Sequence, residues 1–387
     1  SIDGLRGLAV ASVLLYHSGW SERGLFGVDV FFVVSGFLIT LLLLRELDAT
    51  GRISLWRFFV RRVKRLAPGL VITLGLVTLI AVPFSSNVEA QAISAKVISG
   101  LLLVANWQQL SAGQAYWDAT SHVAPLDQMW SLSLTEQFYI VWPVVVVVLA
   151  VLLRRSAILM ALSLTALAVA ASFVAPLMWD GANADRLYLG TDSRAVAFIA
   201  GAAAAALVFV LRRRALGRPH GADRPRRLQG VLVTSLSVVS LIALLAMSLS
   251  VPTYREPWLY QGGLAAVAWV SAVLIATLCH PGNALHRWFS FSAFTALGKV
   301  SYSVFLLHLP VYWVLQLLMP AIEPLTLFVA GGVLTWLFAA FLHHGITERM
   351  RLAPWRITRG IPVLVVAVAA TMALASVLPG IKAERML

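Results

Sequence analysis

The sequence predicts an all-α, polytopic integral membrane protein, and three observations predict it. Of 387 residues, 60% are hydrophobic and only 12% charged, and the mean hydropathy is +0.85, outside the range of soluble globular chains. Apolar runs close to the roughly 20 residues that a membrane-crossing helix needs recur along the chain, separated by polar or basic breaks. The 30 Lys and Arg also fall unevenly among those breaks, as they do where cytoplasmic loops set a membrane protein's orientation.

The elements follow in order. Residues 2–20 are apolar except for Arg6 near one end and His17 near the other. The second run, 26–45, carries Asp29 in its first turn. In "RISLWRFFVRRVKRLAP", Arg52 to Pro68, Leu55, Phe58, Phe59, Val63 and Leu66 recur at helical spacing between basic residues. That pattern predicts an amphipathic cytoplasmic helix over 52–67 lying on membrane lipids, followed by a third span at 68–84. "AISAKVISGLLLVAN", residues 92–106, is apolar but short, which predicts an interfacial or re-entrant helix. Spans at 129–153 and 157–177 come next, then 192–211. The basic stretch 212–228 has Pro and Gly and no apolar face, so it reads as a flexible cytoplasmic loop. Spans at 229–250, 261–279, 300–318, 323–342 and 361–379 complete eleven. The transmembrane domain then covers 1–379, with an extracytoplasmic tail at 380–387.

With the first residue inside, the inside loops hold 7, 2, 7, 2 and 4 Lys or Arg, which with Arg6 makes 23 of the 30. This asymmetry predicts a cytoplasmic N-terminus and an extracytoplasmic C-terminus. Counting 92–106 as a span would turn Arg154, Arg155 and Arg212 to Arg214 outward. The same reading accounts for the net charge of +13, so no nucleic-acid partner is expected. A single cysteine, Cys279, excludes an intramolecular disulfide and a cysteine-based metal cluster. No glycine-rich phosphate loop, HExxH or other zinc ligand set, GxSxG elbow or GxGxxG fingerprint occurs, so neither a metal site nor a nucleotide hydrolase is expected.

A charge at mid-bilayer costs at least about 2.5–3.5 kcal/mol, so the ionisable residues inside spans are the candidate functional ones. Arg6 and His17 are eleven residues apart, three helical turns, which places them on one face about 16 Å apart. His17 and Asp29 each lie three positions inside the outer turn bracketed by Trp20 and Phe26, so they are expected to be neighbours. A carboxylate beside an imidazole fixes its tautomer and stabilises the imidazolium, as a general base requires. Glu136 is expected in the outer half of the fourth span. Tyr188, Asp192 and Arg194 lie at the outer end of the sixth, and His308 lies about 12 Å up the ninth. Each also has a plainer reading: a helix cap for Asp192 and Asp29, an interface anchor for Arg194, a backbone hydrogen bond for His308, a structural partner for Glu136. At the cytoplasmic face, Arg61, Arg62, Lys64 and Arg65, with Arg6 at a similar depth, suit a phosphorylated ligand entering a polar cavity.

Six segments, "SIDGLRGLAVASVLLYH", "GLFGVDVFFVVSGFLIT", "FFVRRVKRLAP", "MWSLSLTEQFYIVWP", "TDSRAVAFIAGAAAA" and "LGKVSYSVFLLHLP", together resemble the acyltransferase-3 family of membrane O-acyltransferases, in family order over residues 1–320. The resemblance implies a multi-pass protein of the bacterial inner (cytoplasmic) membrane that moves an acyl group, often acetyl, from cytoplasmic acyl-CoA to a hydroxyl of an extracytoplasmic carbohydrate or glycolipid. Acyl-CoA is then a donor substrate, and no cofactor is permanently bound. The family's first-helix Arg and His fall on Arg6 and His17, its R-x-x-R element on Arg62 and Arg65, and its buried Glu on Glu136. Ser301 and Tyr302 join the donor-binding set. The pattern is closest to members that modify peptidoglycan or surface polysaccharide and often carry an SGNH-hydrolase-like domain after an extra last helix. Either this is a stand-alone member or the numbering stops where such a domain would begin, so an SGNH-type domain or partner protein stays open.

The expected mechanism docks the acyl-CoA phosphates on Arg62, Arg65 and their neighbours, with the pantetheine arm passing Arg6 toward His17. Supported by Asp29 or Glu136, His17 takes the proton of the attacking hydroxyl, and Arg194 faces the oxyanion. The nucleophile is the acceptor itself or Tyr188 in a transient acyl-tyrosine relay. The competing reading is a transporter or flippase for a lipid-linked glycan, which also needs a polar path but which often shows repeated halves, not found here. A signalling or scaffold protein would leave the depth-matched His17 and Asp29 unexplained.

Overall fold

The computed structural model describes residues 1–113, 124–216, 227–251, 253–353 and 357–384, and every regular element among them is helical. In chain order these are α1 (Ile2–His17), α2 (Gly27–Thr50), α3 (Leu55–Phe84), α4 (Asn87–Leu101), α5 (Ala105–Ser111), α6 (Met129–Leu152) and α7 (Ala157–Met178). Then come α8 (Ala184–Leu189), α9 (Thr191–Leu216), α10 (Arg227–Ser250), α11 (Leu259–Leu278), α12 (Leu285–Trp288), α13 (Ser292–Leu318), α14 (Pro324–Leu352) and α15 (Ile357–Glu384). Ten of them, α2, α3, α6, α7, α9, α10, α11, α13, α14 and α15, contain stretches long and apolar enough to cross a membrane. They coincide with ten of the eleven predicted runs. The first run forms α1, whose 16 residues extend about 24 Å, short of a hydrocarbon layer about 30 Å thick. In lipid a chain must satisfy its own backbone, and helices do so within one segment.

The helix ends follow local chemistry. Gly51, in the left-handed region at φ 69°, closes α2 by donating its N–H to the Leu47 carbonyl. Ser86 and Glu89 cap α4 reciprocally, each side chain accepting from the other's backbone N–H.

Four expectations change. The amphipathic stretch 52–67 is not a separate helix, because α3 continues from Leu55 through Pro68 to Phe84. Proline is tolerated inside helices packed among others, and the carbonyl that Pro68 leaves without a helical donor is that of Lys64, four residues back. The predicted stripe is split, with Phe58 and Leu66 buried in protein and Val63 exposed. Over 92–106 the chain forms the end of α4, which buries Ile93 and Val97, and the start of α5. Within 212–228, residues 212–216 extend α9 and residues 227–228 open α10, while 217–226 lie outside the described residues. The tail predicted from 380 is helical as far as Glu384, and 385–387 lie outside the described residues.

The chain forms two compact units. The first comprises Ser1–Tyr16, Ser21–Leu55 and Gln137–Lys299. At its centre α2 and α9 touch backbone to backbone: a Cβ on Gly36 would lie 1.9 Å from the Phe198 carbonyl oxygen, and one on Gly201 would lie 2.0 Å from that of Val33. Small residues permit such close approach between membrane helices, and Ala202 to Ala206 continue the buried face. The rings of Phe32, Phe198, Phe138 and Trp142 stack beside this contact at centroid separations of 4.6, 4.5 and 4.9 Å. The second unit comprises His17–Trp20, Trp56–Glu136 and Val300–Leu387. Its core joins Leu70, Leu74 and Val77 of α3 to Ile93 and Val97 of α4, Leu306 and Trp313 of α13, and Ala375 and Leu378 of α15.

Candidate active site

In the first unit, Asp29 lies seven residues before Gly36, and Arg194 seven before Gly201. Seven residues return a helix to nearly the same face. Helices that touch at the two glycines and run in the same direction therefore bring these side chains together two turns away. The Asp29 Oδ1 to Arg194 Nη2 distance is 2.9 Å, with the side chains 3% and 1% exposed. The guanidinium carbon stands 4.8 Å from the centre of the Tyr188 ring and 5.5 Å from that of Phe32, within cation–π range of both. The second carboxylate oxygen, Asp29 Oδ2, is buried and has no hydrogen-bond partner among the described residues.

Around this pair, Tyr188 packs on Tyr254, whose hydroxyl donates to Asp185 and accepts from Arg255 Nε at 3.1 Å. Burial pushes both phenols well above the usual tyrosine range. Asp192 does not join Arg194. Its carboxylate holds Arg186 in a two-pronged pair at 2.9 and 2.8 Å on the exposed side of the site. Arg6 sits near Asp3, one turn earlier in α1, at 3.4 Å.

In the second unit, His17 at the end of α1 meets His308 of α13, with Nδ1 of His17 and Nε2 of His308 3.1 Å apart. His308 is fully buried, and its own Nδ1 lies 2.7 Å from the Phe305 carbonyl oxygen. The Phe305 and Tyr312 rings flank it. Two residues on, Pro310 cannot donate to the carbonyl of Leu306, which an ordinary helix would pair with residue 310. That carbonyl is taken instead by the side-chain amide of Gln128, at 3.0 Å.

This bond bears on where Glu136 lies. The sequence reads the fourth span as opening at the outer surface, with Glu136 in the outer half. Gln128, immediately before α6, meets the middle of α13, and Glu136, about 12 Å further along, falls beside the basic end of α3. Its Oε1 lies 4.0 Å from Nη2 of Arg62, an ion pair too long for a hydrogen bond. Tyr302, six residues before His308, reaches α3 one turn beyond Arg62 through Leu66. Ser301 is fully buried, Lys64 Nζ approaches the Ala353 carbonyl at 3.5 Å, and Arg61 and Arg65 are exposed. The second unit thus holds two levels: His17 with His308, and about 9 Å away along α13, Tyr302 with Arg62 and Glu136.

Within the second unit His17 meets His308, and within the first Asp29 pairs with Arg194; the sequence pattern alone names neither of these two partnerships. Sequence reasoning missed Gln128, whose signal is the proline itself: Pro310 in an apolar run leaves a carbonyl that some side chain must serve.

Residues 1–344 match the family described as "Acyltransferase domain". The chain is 33% identical to the peptidoglycan O-acetyltransferase OatA of Listeria monocytogenes over 80% of its own length and 49% of that protein. It is 33% identical to the putative peptidoglycan O-acetyltransferase YrhL of Bacillus subtilis over 80% of this chain and 48% of the relative. A putative O-acetyltransferase of Staphylococcus aureus is 31% identical, over 80% and 50%. The chain therefore spans about half the length of these relatives. No solved structure matches it.

Proposed function

The chain belongs to the acyltransferase-3 family, and from that premise we propose that it is a membrane O-acetyltransferase that takes the acetyl group of cytoplasmic acetyl-CoA and delivers it to a hydroxyl of a cell-wall glycan, peptidoglycan foremost. The observation that carries this reading is the two-level arrangement in the second unit. Cations at the start of α3, with Arg62 and Tyr302, suit the phosphates and polar arm of the donor. A histidine pair about 9 Å along the same helix suits the proton transfer that thioester cleavage requires.

In the proposed reaction Nε2 of His17 takes the proton of the attacking hydroxyl as its oxygen bonds to the thioester carbonyl carbon. The carbon–sulfur bond breaks, the acetyl group leaves as an ester, and the departing thiolate recovers the proton from His17. Direct attack by the acceptor is favoured over an acyl-tyrosine relay, because burial holds the Tyr188 phenol firmly protonated and packs its ring under Arg194. Asp29 and Arg194 act in this reading as the brace that locks α2 to α9. The orientation that serves this chemistry has the basic end of α3 in the cytoplasm, in the bacterial inner membrane.

The test incubates purified protein in nanodiscs with acetyl-labelled acetyl-CoA, with and without peptidoglycan fragments, and follows thiol release and acceptor labelling separately. His17→Ala should lower thiol release by about 10²- to 10⁴-fold, the usual worth of a positioned base, without loss of folded protein. Undiminished turnover in that variant would remove His17 from the chemistry.

A further inference from the structure

We infer that His308 is the positioning residue of the base: it fixes the His17 imidazole as the Nδ1–H tautomer and keeps the lone pair on Nε2. The inference rests on the reading of His17 as the base and is carried by hydrogen-bond bookkeeping within the second unit. A carbonyl oxygen only accepts, so at 2.7 Å from the Phe305 carbonyl, Nδ1 of His308 must carry a hydrogen. A neutral imidazole has one N–H, so Nε2 of His308 is the acceptor. The atom facing it at 3.1 Å, Nδ1 of His17, is therefore the donor, and Nε2 of His17 is left as the basic nitrogen. The chain of donation runs from His17 through His308 to the backbone of α13.

This arrangement differs in one physical respect from the carboxylate support that the sequence suggested. The supporting group is a neutral imidazole, so no ion has to be desolvated to hold the base in place. When His17 takes up the proton, its Nδ1–H becomes a charged donor to His308, and the same hydrogen bond strengthens at the moment the charge appears. His308 is itself held: it is fully buried, flanked by the Phe305 and Tyr312 rings, and anchored to a carbonyl of its own helix.

The test has two independent readouts. In protein labelled with ¹⁵N-histidine and reconstituted in nanodiscs, the His17 signals, assigned by their loss in His17→Gln, should show a protonated Nδ1 and a bare Nε2. A His17 protonated at Nε2 overturns the inference, and this measurement needs no substitution at 308. Kinetically, His308→Leu should lower kcat about 10- to 100-fold, part of what a positioned base supplies, with KM for acetyl-CoA unchanged. His308→Gln, whose amide oxygen can accept in place of Nε2, should recover most of that loss. Full kcat in His308→Leu, or equal loss in both variants, overturns the inference. Turnover that survives in His17→Ala sinks the base reading instead, and the ¹⁵N tautomer still decides whether His308 sets the ring.

Discussion

Asp29 and Arg194 are 2% and 1% exposed, and each charge, taken out of water, is compensated by the other at 2.9 Å, with the Tyr188 and Phe32 rings against the guanidinium. Removing one partner of such a pair typically costs about 3–5 kcal/mol, whereas replacing both with apolar residues of similar volume is often neutral. Asp29→Ala should therefore lower the thermal midpoint in detergent sharply, and Asp29→Leu combined with Arg194→Met should recover most of the loss. If Asp29→Ala abolished thiol release with an unchanged midpoint, the pair would belong to the chemistry and not to the brace. At this scale the sequence singles out the polar residues of the apolar runs, while their partners become visible only in the structure. His17, Asp29, Glu136, Arg194 and His308 stand out because each is polar in an apolar run. Depth counting then sets His17 beside Asp29, because both lie three residues from one turn. Depth does not report lateral neighbours: within the first unit Asp29 finds Arg194, 165 residues away, on the helix that its glycine seam admits.

A single proline organises the middle of α13. Because Pro310 has no N–H, the Leu306 carbonyl would be orphaned in an apolar interior, at a cost of about 1–3 kcal/mol, without the Gln128 amide. The prediction is a coupling. Gln128→Leu should destabilise the protein by about that amount, but it should cost little in a Pro310→Ala background, where residue 310 regains the donor. Denaturation in detergent of the two single variants and the double variant measures it, and equal costs in both backgrounds would sink the account. The elements themselves are largely legible, since ten of the predicted runs are long helices. What hydropathy does not report is whether a helix stops where its surface turns polar. At Pro68 the sequence reads a boundary between an amphipathic segment and a span, yet α3 runs through it from Leu55 to Phe84.

Orientation belongs to the whole molecule, because it depends on summed charge and not on any one contact, which is why it can be read without knowing how the helices pack. With 23 of the 30 Lys and Arg assigned to one side, the turn between α2 and α3 should be cytoplasmic and the segment between α7 and α8 extracytoplasmic. Arg52 and Ala182 are exposed in those two connections, and Cys279 is the chain's one cysteine. In a Cys279→Ser background, a membrane-impermeant maleimide should label Ala182→Cys in intact cells and Arg52→Cys only after permeabilisation. The short α1 does not affect this test, since both probes lie beyond it and α2 separates Arg52 from Trp20 whichever way the first helix sits. The reverse labelling pattern would do more than invert a drawing. It would put Arg61, Arg62, Lys64 and Arg65 on the side of the membrane where no acyl-CoA is made, and the donor reading of the whole second unit would fall with it.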